Sequence, residues 1–270
     1  MAQIAPFNLI IPKKNRVGIL ISIPHLGTEI PEEYRSKYKE ILIEKPQDTD
    51  WFVDQLYPFA EDLGITIIMA KYSRYLIDLN RSPDNKPLYD DGRTETGLVP
   101  TKDFSGRSLY KSEFEPNSED INSRKTQYYQ PYHAMVAQYL KEFQENFGNA
   151  LLFEAHSIRR EVPLLHPHPF PDLIIGDQNG TTCAPSISKL FLDKLSEGPY
   201  SVSHNSPFKG GYLTRKWGQK EKNIHSIQLE ISQDVYMDEK QFVFEPNKAR
   251  SLIETLEGAF RELPNTMETL

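Results

Sequence analysis

Two histidines stand where an apolar run gives way to polar residues: His25 in Ser22-Ile23-Pro24-His25-Leu26-Gly27, and His156 in Leu151-Leu152-Phe153-Glu154-Ala155-His156-Ser157. Two imidazoles and one acidic residue make the three-ligand set of a catalytic zinc site, which leaves a fourth position for water. Asp50 and Glu29 compete for the acidic place, with Asp50 preferred at the entry of a helical pattern and Glu29 four residues after His25. A lone histidine near a strand end is more often a satisfied structural group, but the two matching contexts reverse that reading here. His133 and His225 keep the structural reading, and His166, His168 and His204 read as loop or surface residues. Cys183, in Thr181-Thr182-Cys183-Ala184-Pro185, has no neighbour that would activate a thiolate and reads as inert.

Further chemistry collects at two other apolar runs. In Ile224-His225-Ser226-Ile227-Gln228-Leu229-Glu230-Ile231, period-two alternation puts Ile227, Leu229 and Ile231 on one face and Ser226, Gln228 and Glu230 on the other. A carboxylate within such a strand is costly unless paired or used, so Glu230 is the candidate general base for a metal-activated water, and later the general acid. After Tyr75-Leu76-Ile77-Asp78-Leu79, the pair Asn80-Arg81 offers an amide and a guanidinium that can clamp a substrate carboxylate.

These residues need a sheet to hold them. Apolar runs of strand length at 17–23, 65–70, 74–79, 150–153, 173–175, 201–203 and 224–232 alternate with helical patterns at 51–63, 117–147, 185–196 and 247–262. This alternation predicts an α/β sandwich in which ligands bind beyond the carboxyl ends of strands. Phe52, Leu56, Phe59 and Leu63 recur at helical steps between Thr49, a capping residue, and Gly64, a terminator, which predicts a helix over 51–63. Pro131 is expected to divide the 117–147 pattern into two helices. Residues 82–110, rich in Pro, Gly, Asp, Thr and Lys, predict a lid loop, and 157–171 a second irregular connection.

The 270 residues are enough for one domain. With 31 Lys+Arg against 38 Asp+Glu the formal charge is −7, which argues against a nucleic-acid surface. The single cysteine excludes an internal disulfide and fits a reducing compartment, and no apolar run nears the roughly 20 residues of a membrane span. With no signal-peptide pattern at Met1 to Asn8, the expectation is a cytoplasmic enzyme of a small molecule, with no membrane partner.

Taken in order, Pro24-His25-Leu26-Gly27, Asp48-Thr49-Asp50-Trp51, Tyr72-Ser73-Arg74-Tyr75, Asp78-Leu79-Asn80-Arg81, Ala155-His156-Ser157-Ile158, Phe208-Lys209-Gly210-Gly211-Tyr212, Gln228-Leu229-Glu230 and Tyr236-Met237-Asp238-Glu239 resemble the N-formylglutamate amidohydrolase family. The resemblance runs from about Leu20 to about Glu239. It implies a phosphorylase/hydrolase-like three-layer α/β fold with a mixed central sheet, related to the zinc carboxypeptidases. It also implies hydrolysis of N-formyl-L-glutamate to formate and glutamate, a last step of histidine degradation. In the aspartoacylase relatives an Asn-Arg pair binds the substrate carboxylate and a strand glutamate acts as base, which carries over to Asn80, Arg81 and Glu230. Glu154 stands where the family leads one to expect Asp, and Thr28 fills the third position after His25 where the carboxypeptidases have Glu.

A diacid substrate needs two anion sites, and Asn80 with Arg81 supplies one. Arg74 is the next candidate and also the candidate oxyanion donor, followed by Arg159 and Arg215; Lys209 and Tyr212 are further candidate substrate contacts. The rivals to deformylation are removal of another acyl group from an acidic amino acid, and a non-catalytic binding protein on the same fold. A nucleotide-dependent enzyme is disfavoured, because neither Gly-x-Gly-x-x-Gly nor a P-loop occurs.

Overall fold

The computed structural model describes residues 5–13, 15–89 and 95–270. Seven strands form one mixed sheet: β1 (Phe7–Ile10), β2 (Ile19–Ile23), β3 (Thr66–Ala70), β4 (Ala150–Ile158), β5 (Leu173–Gly176), β6 (Val202–His204) and β7 (Ile224–Ser232). Their order across the sheet is β1-β3-β2-β4-β7-β5-β6. β3, β2, β4 and β7 run parallel, whereas β1 pairs antiparallel with β3 and β5 antiparallel with β7. The chain leaves β2 to one side for β3, then crosses back to the other for β4, so a topological switch point opens at the carboxyl ends of β2 and β4.

Besides the short helices α1 (Glu32–Arg35) and α2 (Glu40–Glu44), the helices are α3 (Ser118–Arg124), α4 (Gln130–Phe147), α5 (Pro185–Ser196), α6 (Tyr212–Trp217) and α7 (Pro246–Glu268). The central strands are buried on both faces because both are covered, giving a three-layer α/β sandwich. Ile21, Phe153, Leu229 and Ile231 pack with Phe191 of α5 and Leu256 and Phe260 of α7. Leu20, Ile68 and Leu152 pack on the opposite face with Tyr132, Val136 and Phe143 of α4. Each such side chain contributes about 1.5–3 kcal/mol on full burial. Among the described residues no helix is long and apolar enough to cross a membrane.

Two local expectations are corrected and a third is refined. Residues 51–63 hold one 3-10 turn, Val53–Leu56, and further turns rather than a helix. Pro58 lacks an N–H and its ring would press on the carbonyl of Asp54, which instead accepts the N–H of Tyr57. Residues 74–79 are a buried turn rather than a strand: Ser73 Oγ accepts the N–H of Tyr75, and Asp78 Oδ1 accepts that of Asn80, so local side chains satisfy the backbone that a sheet would otherwise pair. The 117–147 pattern does give two helices. They are joined without a break, because a π turn at Lys125–Tyr129 absorbs the missing rung of Pro131, while the Asn117 side chain caps α3.

The segment expected as a lid includes residues 90–94, which lie outside the described residues. After them the chain packs on the body, with Leu98, Val99, Leu109 and Tyr110 buried, whereas residues 84–87 before them are exposed.

Candidate active site

The turn after β2 is made tight by Gly27, where a Cβ would sit 2.4 Å from the backbone of Lys71 and Tyr72. His25 is thereby held at the switch point, and the backbone N–H of Asp50 bonds to its carbonyl at 3.0 Å, bringing a second loop alongside. His156 projects from β4 on the same face as Glu154. Asp50 Oδ2 lies 3.0 Å from His156 Nδ1 and 3.7 Å from His25 Nδ1, and one ligand atom of each of the three residues falls within 4.8 Å of the others. All three side chains are buried, whereas Glu29 is exposed and outside the cluster.

The second ring nitrogen of each histidine faces a buried carboxylate. His25 Nε2 lies 2.7 Å from Asp78 Oδ1, and His156 Nε2 lies 3.6 Å from Glu154 Oε2. Partners of this kind orient metal-bound histidines. Burial disfavours charge on Asp50, but the ring nitrogens of His156 and His25 outweigh it and hold the carboxyl down at about 2. Burial likewise opposes a charge on Asp78, which Arg74 and His25 keep well below the usual carboxylate range. His156 is pulled down by desolvation, yet Asp50 and Glu154 push it up to about 10. The cluster thus stabilises positive charge, and two imidazoles with one carboxylate fit a divalent metal ion.

One pocket joins this cluster to Glu230, Arg74, Asn80, Arg81 and Gln228, with Leu88, Phe104, Ile158, Leu165 and Phe208 as its apolar wall. Burial pushes the Glu230 carboxyl up to about 7, against the pull of His156. Arg74 donates to Asp78 Oδ2 at 2.6 Å and stacks over Phe104, its Cζ 4.7 Å from the ring centre. Asn80 Oδ1 accepts the N–H of Leu213, which turns its NH₂ group toward His156 Nε2 at 3.1 Å. Arg81, half-buried, donates Nε to Thr96 O at 2.9 Å.

Four candidates lie off this wall. Arg159 reaches toward Asp48 Oδ1 at 3.6 Å, and Tyr212 packs against His133. Lys209 offers its backbone N–H to the hydroxyl of Tyr89, and Arg215 donates to the carbonyls of Gly210 and Leu88. Arg215 and Lys209 therefore support Leu88 and Tyr89 at the pocket wall. Sequence reasoning gave no role to Asp78 or Gln228; each stands two residues before a candidate, Asn80 or Glu230, and that spacing was the available signal. His133 donates to or accepts from no metal-site residue; burial lowers it to about 3, and its Nε2 lies 2.9 Å from Leu79 O. Burial pushes the Cys183 thiol up to about 12.

A model of the N-formylglutamate amidohydrolase family matches residues 17–237. The chain belongs to this family. It is 41% identical over 229 residues to the N-formylglutamate deformylase of Pseudomonas putida, covering 84% of this chain and 85% of that protein. The N-formylglutamate deformylase of Pseudomonas aeruginosa is 40% identical over 233 residues, with the same coverage of 84% and 85%. The crystal structure of N-formylglutamate amidohydrolase from Ralstonia eutropha JMP134 shares the fold, with a TM-score of 0.83 at 24% identity over 97% of this chain and 98% of that one. The stretch matched to the N-formylglutamate amidohydrolases holds every residue of the pocket wall, whereas β1 and α7 fall outside it.

Proposed function

We propose that this protein hydrolyses N-formyl-L-glutamate to formate and L-glutamate, with one zinc ion held by His25, Asp50 and His156. The observation that carries the reading is the shared pocket of that buried His-Asp-His cluster and the half-buried Glu230. The names of the two Pseudomonas relatives supply the substrate. Zinc at this position supplies Lewis acidity toward water and the formyl carbonyl.

Glu230, with its pKa raised toward neutrality, takes a proton from the attacking water as the water oxygen bonds to the formyl carbon. It then returns that proton to the amide nitrogen as the carbon–nitrogen bond breaks, so formate and the free amine leave. Arg74, fixed by Asp78, donates to the oxygen that gathers negative charge. Asn80 and Arg81 hold a substrate carboxylate at the wall. Leu88, Tyr89, Glu95 and Phe104, the described residues of 82–110 that line the pocket, help to exclude water as a lid would, and the reaction belongs to histidine degradation in the cytoplasm.

Formate release tests the substrate assignment. The zinc-loaded protein is expected to turn over N-formyl-L-glutamate faster than N-acetyl- or N-succinyl-L-glutamate; a faster rate with either larger acyl group contradicts it.

A further inference from the structure

We propose that Gln228 is a positioning residue that aims the carboxylate of Glu230, an inference that rests on the hydrolase reading and adds a residue to it. The two side chains share one face of β7, and Gln228 is only 4% exposed. The amide of Gln228 cannot be reversed. Its Oε1 accepts the backbone N–H of Gly211 at 2.7 Å, and an N–H cannot face an NH₂ group, so Nε2 must lie on the other side. There it donates to Glu230 Oε2 at 3.1 Å. A glutamate side chain has several staggered rotamers open to it, and this bond selects one of them.

The donor that orients Gln228 is itself fixed. A Cβ at Gly211 would lie 2.3 Å from Asn80 Nδ2, so only glycine lets the backbone pass this close to the site. Two residues later the N–H of Leu213 orients Asn80 in the same manner, with the Asn80 NH₂ group turned to His156. One short backbone stretch thus sets two side-chain amides, one facing the candidate base and one facing a candidate metal ligand. Arg215 ties this stretch to the pocket wall by bonding Gly210 O and Leu88 O together. The close approach to Asn80 explains Gly211, and a backbone φ of 115° explains Gly210 before it.

Two near-isosteric variants separate positioning from capping. Gln228→Glu keeps an acceptor for Gly211 but replaces the NH₂ donor with a carboxyl that can only share a proton with Glu230; Gln228→Met keeps the length and removes both groups. For each, kcat with N-formyl-L-glutamate is expected to fall roughly 10–100-fold, with KM and zinc content unchanged, and crystal structures should show the Glu230 carboxylate displaced. Wild-type kcat in Gln228→Glu would reduce Gln228 to a cap for Gly211 and overturn the proposal. A raised KM with unchanged kcat would make it a substrate contact and overturn it too. If the wild-type protein hydrolyses no N-acyl amino acid, the hydrolase reading fails on its own, and the Glu230 position in the variant crystals still decides: displaced supports positioning, unmoved overturns it. Should Gln228→Met not fold, Gln228→Glu carries the same readouts.

Discussion

The two faces of β4 are buried alike and made of opposite chemistry. Leu151, Phe153 and Ala155 face α5 and α7, where the Phe153 ring lies 5.1 Å from Phe191 and 4.9 Å from Phe260. Glu154 and His156 point the other way, against Ser22, Asn80 and Asp50. The apolar face gains free energy from the same burial that costs the polar face its hydration. Hydrogen bonds offset only part of that cost, since Glu154 Oε1 is buried without a partner. A strand with a period of two can therefore hold stability on one side and reactive groups on the other.

Substitutions can break that division. Glu230→Gln, on the reactive face of β7, should lower kcat by about 10²–10⁴-fold while far-ultraviolet circular dichroism stays unchanged. Phe153→Ala should do the reverse, costing about 3–5 kcal/mol of stability by denaturant unfolding while the folded fraction keeps its kcat. Loss of activity without loss of stability in Phe153→Ala would show that the two faces are not separable.

The next effect depends on pH. Glu230 binds its proton more readily when folded, at about 7, than unfolded, at about 4.3. Its contribution to stability is thus fully present below about 4.3 and is lost as pH rises through about 7. In protein stripped of metal by chelator, Glu230→Gln should therefore raise the melting temperature at pH 8 and leave it nearly unchanged at pH 4. A larger gain at the acidic end would contradict the assigned direction.

Smaller effects sharpen the boundary of the reactive face. Asp78→Asn removes the carboxylate behind His25 and should weaken zinc affinity roughly 10–100-fold in a competition titration. Glu29→Gln, an exposed change, should move neither zinc affinity nor stability by more than about 0.5 kcal/mol. A large zinc loss in Glu29→Gln would return Glu29 to the ligand set.

Much of this was legible in the sequence because it is local. Strand β7 and helix α5 fall at the expected residues, and the alternation in β7 placed Gln228 and Glu230 on one face. What failed was local as well: Pro58 ended a helix that apolar spacing alone favours, and Asp78 turned a hydrophobic run out of the sheet. Other features depend on chain return paths, which residue spacing does not encode. Nothing near Arg215 shows that it reaches Leu88, and nothing near Gly211 shows that it meets both Asn80 and Gln228. The edge strand β1 also carries too short an apolar pattern to be read without its partner β3.

The most direct test of the central claim measures zinc content and formate release from N-formyl-L-glutamate together, for wild type and His156→Ala. The account predicts about one zinc per chain and steady formate release for wild type, with both lost in the variant. Formate release that survives in His156→Ala would contradict it.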